Sequence, residues 1–201
     1  ATTTPGNTKT TSGSGITTTT KPAVSATPQA VGTSKITPKQ KLVVVAPGKS
    51  VKVAFTAKAA APATKAAVVT ASTSAKKVVT AKVSGKKVTI KAPKKAVKGS
   101  SATVTLKSTN GDKKVSAKIK VYVRNSAKKV KAAKKSITVK KNKTTKLVIK
   151  ASKVQNKKKA FADKITVKGK ILKLTNVKYA KGKATLTLKG VKKAKKKAVT
   201  I

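Results

Sequence analysis

The sequence predicts an all-β protein, two tandem β-sandwiches behind an extended, Thr-rich N-terminal segment. Three observations predict it. From residue 41 onward apolar residues recur with a period of two, Gly-centred breaks separate the alternating runs, and the pattern occurs twice along the chain. Many short alternating strands with regular turn signals are the mark of sandwich architectures.

The N-terminal segment comes first. Residues 1–40 hold thirteen Thr and only four Lys, punctuated by Pro5, Pro22, Pro28 and Pro38 and by Gly6, Gly13, Gly15 and Gly32. This composition does not bury enough apolar surface to offset the entropy of ordering, so it reads as a linker or stalk. Threonine is a good strand former once a partner edge exists. The segment is therefore also a candidate donor strand, with Thr17, Thr18, Thr19, Thr20, Val24, Val31 and Ile36 as the residues inserted into a neighbouring sheet.

Alternation begins at residue 41. Val51, Val53 and Phe55 alternate with Lys52 and Ala54, and Ala102, Val104 and Leu106 with Thr103, Thr105 and Lys107. Val115, Ala117, Ile119, Val121 and Val123 alternate with Lys114, Ser116, Lys118, Lys120 and Tyr122. One face of each run is apolar and the other wet, as in half-buried antiparallel strands. Breaks fall at Pro47-Gly48, Ser84-Gly85, Lys98-Gly99 and Asn110-Gly111-Asp112, the last a hairpin signal because Asn-Gly suits positive φ. The Lys/Ala-rich pieces at 126–135 and 192–198 lack an apolar stripe and give helix little support.

The repeat divides the chain. Lys41–Phe55 aligns with Lys135–Ile149 at an offset of 94 (135 − 41), setting Val43 and Val45 on Ile137 and Val139, Gly48 on Asn142, and Phe55 on Ile149. Gly and Asn both tolerate the left-handed region. Val83–Lys86 then matches Val167–Lys170, Val88 and Ile90 match Leu172 and Leu174, and Ala102–Leu106 matches Ala184–Leu188, an offset that drifts downward and implies shortened loops in the second copy. Domains are expected at 41–124 and 125–201, with Arg124-Asn125-Ser126 near the joint.

At these residues the sequence resembles the bacterial immunoglobulin-like domains of group 2, tandem repeats of bacterial surface and secreted proteins. Ile137-Thr138-Val139 and Asn142–Leu147 fit that family's opening strands, and Val69–Ser74 fits its turn, with Ala71 where the family has Trp. Gly85-Lys86-Lys87-Val88 and Gly182–Thr187 fit its later strands. The resemblance covers residues 41–201 and implies an Ig-like sandwich of about seven strands, used as a spacer, adhesin or structural module, with no catalytic residues to carry over.

Composition narrows function. The 201 residues include 51 Lys+Arg and 2 Asp+Glu, for a net charge of +49, and no His, Cys, Met or Trp. Arg124 is the single arginine, and Asp112 and Asp163 are the acids. Zinc, copper and haem sites of the usual kinds and His-based catalytic relays are excluded, and the near-empty acid–base inventory argues against an enzyme. No cofactor or metal is expected. No apolar run approaches the ~18 residues of a membrane span. A chain that begins at Ala1 without Met suggests signal-peptide cleavage, hence a secreted or cell-surface protein. No sortase-type signal accompanies Ala198-Val199-Thr200-Ile201, so a C-terminal anchor is not expected.

The lysines are the functional clue. They are densest at Lys157, Lys158 and Lys159 and at Lys192, Lys193, Lys195, Lys196 and Lys197, the candidate polyanion-binding residues. Self-repulsion at this charge opposes compactness unless counterions or a polyanion relieve it. Scarce Arg and aromatics argue against sequence-specific nucleic-acid reading. Two functions follow as expectations. The first is a secreted bacterial surface subunit that polymerises with copies of itself by strand addition of the N-terminal segment. The second is a monomeric lysine-rich adhesin or binding module for anionic polymers such as teichoic acid, mucin or extracellular DNA.

Overall fold

Lysine belongs in water, and a strand that alternates lysine with Val, Ile or Leu has one wet and one dry face. Sheets of such strands bury their dry faces together. The computed structural model describes residues 31–110 and 112–192 and contains twelve strands and, among those residues, no helix.

Eight strands build the first unit: β1 (Thr33–Pro38), β2 (Leu42–Val45), β3 (Ser50–Ala59), β4 (Thr70–Thr73), β5 (Thr80–Ser84), β6 (Lys87–Lys91), β7 (Ser101–Asn110) and β8 (Lys113–Val123). One sheet has the order β1-β3-β6-β5 and the other β2-β8-β7-β4. Lettered in chain order as A, A′, B, C, D, E, F and G, these are A-B-E-D facing C-F-G, with A′ running parallel to G from Leu42↔Lys120 to Val45↔Val123. That is the strand order of an Ig-like sandwich.

The alternating residues close the core. Val53 and Phe55 of β3, Val88 and Ile90 of β6, Val104 and Leu106 of β7, and Ile119, Val121 and Val123 of β8 share one buried cluster. Ala71 lies on β4 opposite Leu106 and packs half-buried against it, so aliphatic side chains fill the space that the family resemblance assigns to Trp.

The first unit begins earlier than residue 41. β1 pairs with β3 from Thr33↔Ala59 to Pro38↔Phe55, which takes residues 33–38 out of the N-terminal segment. Ile36 is buried in this unit's own core, and Val31 bridges Lys65 while its side chain stays exposed. Neither residue is therefore free to enter a neighbour's sheet in this conformation. Thr17–Thr20 and Val24 lie outside the described residues.

The second unit is a single sheet of β9 (Ala127–Ala132), β10 (Thr144–Val154), β11 (Leu172–Ala180) and β12 (Lys183–Gly190), in the order β11-β12-β10-β9. Register shows what it repeats. Val53 faces Val88 in the first unit, and Leu147 faces Leu186 in the second. Thus β9, β10, β11 and β12 are the counterparts of β1, β3, β5 and β6. Gly48 and Asn142 both adopt positive φ, 73° and 60°, at the matched turn.

The later part of the repeat is corrected by this register. The turn Gly85-Lys86, closed by Ser84↔Lys87, corresponds to Lys181-Gly182, closed by Ala180↔Lys183, an offset of 96 (180 − 84), and Val88 corresponds to Leu186, an offset of 98 (186 − 88). Ala184–Leu188 is therefore the counterpart of β6 rather than of Ala102–Leu106 in β7, and the connecting segments are longer, not shorter. Among the described residues β7 and β8 have no counterpart. The dry face of β10–β12 is instead covered by Ile137, Phe161, Ile165 and Val167, together with Leu42, Val44 and Tyr122 of the first unit.

Among the described residues sixteen buried apolar residues make up the first core and eight the second, so the second is the smaller. Leu186 is fully buried there. Leu186→Ala is expected to cost about 2–5 kcal/mol and to separate the unfolding of the second unit from that of the first. Urea denaturation followed by tyrosine fluorescence and circular dichroism checks this; coincident transitions in the variant would mean the two units unfold as one.

Candidate functional site

The joint between the units gathers most of the chain's rare residues. Arg124, Asn125 and Ser126 connect β8 to β9. Asn125 is fully buried and meets every hydrogen-bonding need locally. Its amide donates to the carbonyls of Asn156 (3.0 Å) and Ala160 (2.8 Å), and its side-chain oxygen accepts from the Asn156 N–H (2.9 Å). Its backbone exchanges two further bonds with Ala162, at 2.7 and 3.1 Å.

Gly99 makes room for this arrangement. Its φ is +79°, and a Cβ there would lie 2.5 Å from the Ala160 carbonyl oxygen and 2.8 Å from the Asn125 amide nitrogen. Only glycine fits such an approach.

Beside Asn125, Arg124 Nε lies 2.7 Å from Asp163 Oδ1. The Ser126 hydroxyl donates to Asp163 Oδ2 at 2.7 Å, and the Lys164 N–H to Oδ1 at 2.9 Å. Burial alone would raise the Asp163 carboxyl, but the bonds from Ser126, the Lys164 backbone and Arg124 outweigh it and hold the group below the usual aspartate value. The Arg124 side chain is 55 % exposed, and pairs this wet contribute about 0–1 kcal/mol. The ion pair orients the joint more than it stabilises it.

Three aromatics complete the contact. Tyr179 packs edge-on against Tyr122 (centroids 5.1 Å) and Phe161 (6.2 Å), and its hydroxyl donates to the Asp163 backbone carbonyl. Burial, then the charge of Asp163, then Tyr122 push the Tyr179 hydroxyl well above the ordinary tyrosine value; burial raises Tyr122 as well.

A cleft of about 810 Å³ opens beside this contact, between β2 and β11. Its walls include Leu42, Val44, Ile165 and Leu174, and its lysines are Lys39, Lys41, Lys49, Lys120, Lys164 and Lys178. Lys120 holds its ammonium 5.8 Å from the Tyr122 ring centroid.

Lys157, Lys158 and Lys159 are exposed on the turn after β10, whose Asn156 is fixed by Asn125. Lys192 is exposed, whereas Lys193, Lys195, Lys196 and Lys197 lie outside the described residues. The structure thus places the first lysine cluster at the joint and leaves the cleft lysines, scattered from residue 39 to 178, as a group no run in the sequence marks. No spacing in the sequence brings Asp163, Tyr122 and Tyr179 to Asn125; the signals it carries are the scarcity of arginine, acids and aromatics, one, two and four in 201 residues, and the place of Arg124-Asn125-Ser126 at the joint.

No family model and no curated protein matches the chain. Among solved structures, domains 5–6 of the S-layer protein SbsC are similar at 17 % identity over 79 % of this chain and 84 % of theirs, with a TM-score of 0.35. A chimeric titin Z1Z2 is similar at 14 % identity over 81 % and 85 %, with a TM-score of 0.33. Domains 4–9 of SbsC are similar at 16 % identity over 79 % of this chain and 27 % of theirs, with a TM-score of 0.37. At such scores the Ig-like assignment rests on the strand order above.

Two outcomes follow. Asn125→Ala strands the Asn156 N–H and the Ala160 carbonyl in a part-buried place, and is expected to cost about 2–3 kcal/mol; thermal unfolding with Thr138→Ala, at an exposed loop position, as a control checks it. For Asp163 the folded carboxyl titrates below the unfolded value of about 3.9, so its stabilisation is present above that pH and is lost as pH falls through the folded value. Wild type should therefore exceed Asp163→Asn in thermal midpoint near neutrality and converge with it at strongly acid pH. A constant difference across the acid limb would show that the carboxylate's charge plays no part.

Proposed function

We propose that this chain is a structural module of a cell-surface or extracellular assembly, an Ig-like sandwich joined to a second four-stranded sheet, whose lysine coat holds linear anionic polymers. One observation carries the reading: every lysine among the described residues is exposed. The acids that could neutralise them are two, and Asp163 already pairs with Arg124. An external polyanion relieves the repulsion that remains. The resemblance to bacterial Ig-like domains supports the surface setting.

Assembly by strand addition is a second reading, favoured by one observation. β2 and β11 each pair on one side only and border the cleft, so two strand edges stand open there. The donor would be Thr17–Thr20 and Val24 of another copy, since Val31 and Ile36 are engaged in their own unit.

Titration against inorganic polyphosphate, repeated at rising salt, tests the first reading. The expected result is saturable binding whose log affinity falls linearly with log salt, with a slope of about −4 or steeper. Affinity that ignores salt, or no binding at low salt, overturns it. Self-assembly without polyanion, abolished by deleting residues 1–30, would favour the second.

A further inference from the structure

We propose that the cleft between the units, rather than the lysine surface at large, is the site that holds a linear phosphate-bearing chain. This rests on the polyanion-binding reading above and gives it a place. Four observations converge on it.

The first is charge in a concave setting. Six lysines line one opening, and no carboxylate does. Like charges around a low-dielectric cleft focus their field into it, where lysines on a convex face disperse theirs. The Lys157–Lys159 turn, though denser in sequence, is an exposed turn outside the cleft lining.

The second is the pair of open strand edges. β2 pairs only with β8, and β11 only with β12. The outward N–H groups of an edge strand are free donors for anionic oxygens, in a row that suits an extended ligand.

The third is the type of cation. Ammonium groups and single N–H donors suit tetrahedral phosphate oxygens approached from several directions. The one guanidinium, Arg124, which would bind a carboxylate by two parallel bonds, is already engaged by Asp163.

The fourth is the aromatic lining. Tyr122 packs edge-on against Tyr179 and carries Lys120 near its ring, so the Tyr122 ring is already engaged and does not stand as a free platform for stacked bases. A base-free phosphate chain fits better than a nucleic acid.

The experiment compares two variants of equal charge with the full chain. One carries Lys41→Gln, Lys120→Gln, Lys164→Gln and Lys178→Gln in the cleft. The other carries Lys58→Gln, Lys82→Gln, Lys107→Gln and Lys146→Gln, exposed strand positions outside it. The probe is inorganic polyphosphate, read by calorimetry at fixed salt. The cleft variant is expected to bind at least about tenfold more weakly and to lose about 3 from the salt slope, with the control within about twofold of wild type. Equal losses in the two variants overturn the cleft as the site while leaving the lysine coat as the function. Absence of salt-dependent binding by the wild-type chain removes the function itself. Unchanged polyphosphate binding with loss of self-association in the cleft variant would assign the cleft to a strand of a second copy. Amine acylation of the unmutated chain, read by mass spectrometry, needs no variant to fold. Polyphosphate should slow modification of Lys120 and Lys164 more than that of Lys82 and Lys107, and uniform protection would again overturn the proposal.

Discussion

The sign of the charge constrains everything else in this molecule. Fifty lysines and two acids leave almost no lysine with a carboxylate partner, and a buried unpaired ammonium is among the costliest groups a fold can hold. Every described lysine is accordingly in water. Period-two strands are a direct way to meet that demand, because one residue in two faces out whatever its neighbours are. The dry faces then consist of Val, Ile, Leu and Ala, which fit the pleated surface and need no polar partner. Lysine also guards the open edges: β9 carries Lys128, Lys129 and Lys131, and its exposed edge resists pairing with another copy.

The same constraint explains how the units are joined. A joint between two cationic bodies has to overcome repulsion without the usual network of ion pairs. Here the chain places its only arginine against one of its two acids, which fixes orientation, and leaves most of the stabilisation to neutral groups. Asn125 satisfies its amide, its carbonyl oxygen and its backbone within one turn of chain at 156–162. Neutral hydrogen bonds in a dry place are insensitive to the salt that screens the surface. Tyr122, Tyr179 and Phe161 add apolar contact on the other side.

Much of the strand content was legible in the sequence because alternation is a local signal. β3, β7 and β8 carry their buried residues where the pattern predicts them, and Gly48 and Asn142 share a positive-φ turn as the first stretch of the repeat requires. The later stretch misled because a period-two run of small and branched residues matches any other such run. Ala184–Leu188 resembles Ala102–Leu106 in letters, yet its pairing with β10 makes it the partner of β6. Turn glycines and cross-strand register break that degeneracy, and only the first is visible in a sequence. β1 was hidden for the opposite reason: Thr33–Pro38 has the composition of the segment before it, and becomes a strand through its partner β3. The joint and the cleft have no local pattern at all, since their residues come together from positions 39 to 179.

The second sheet shows how far the units depend on one another. Its buried face would be matched, in the first unit, by the β7–β8 pair. Among the described residues its cover is made of loop residues, of Leu42 and Val44 on the edge strand β2, and of Tyr122 on β8 beside it. The contact between units is therefore part of a core, and not merely a surface touching a surface. Loosening β2 would expose Leu186 and its neighbours as well as open the cleft, and tightening the second core would hold β2 and β11 at a fixed separation. A ligand that spans the cleft would act on the same two strands. Its binding free energy would add to the stability of the second sheet by mass action, so occupancy of the cleft and order of that sheet would rise together.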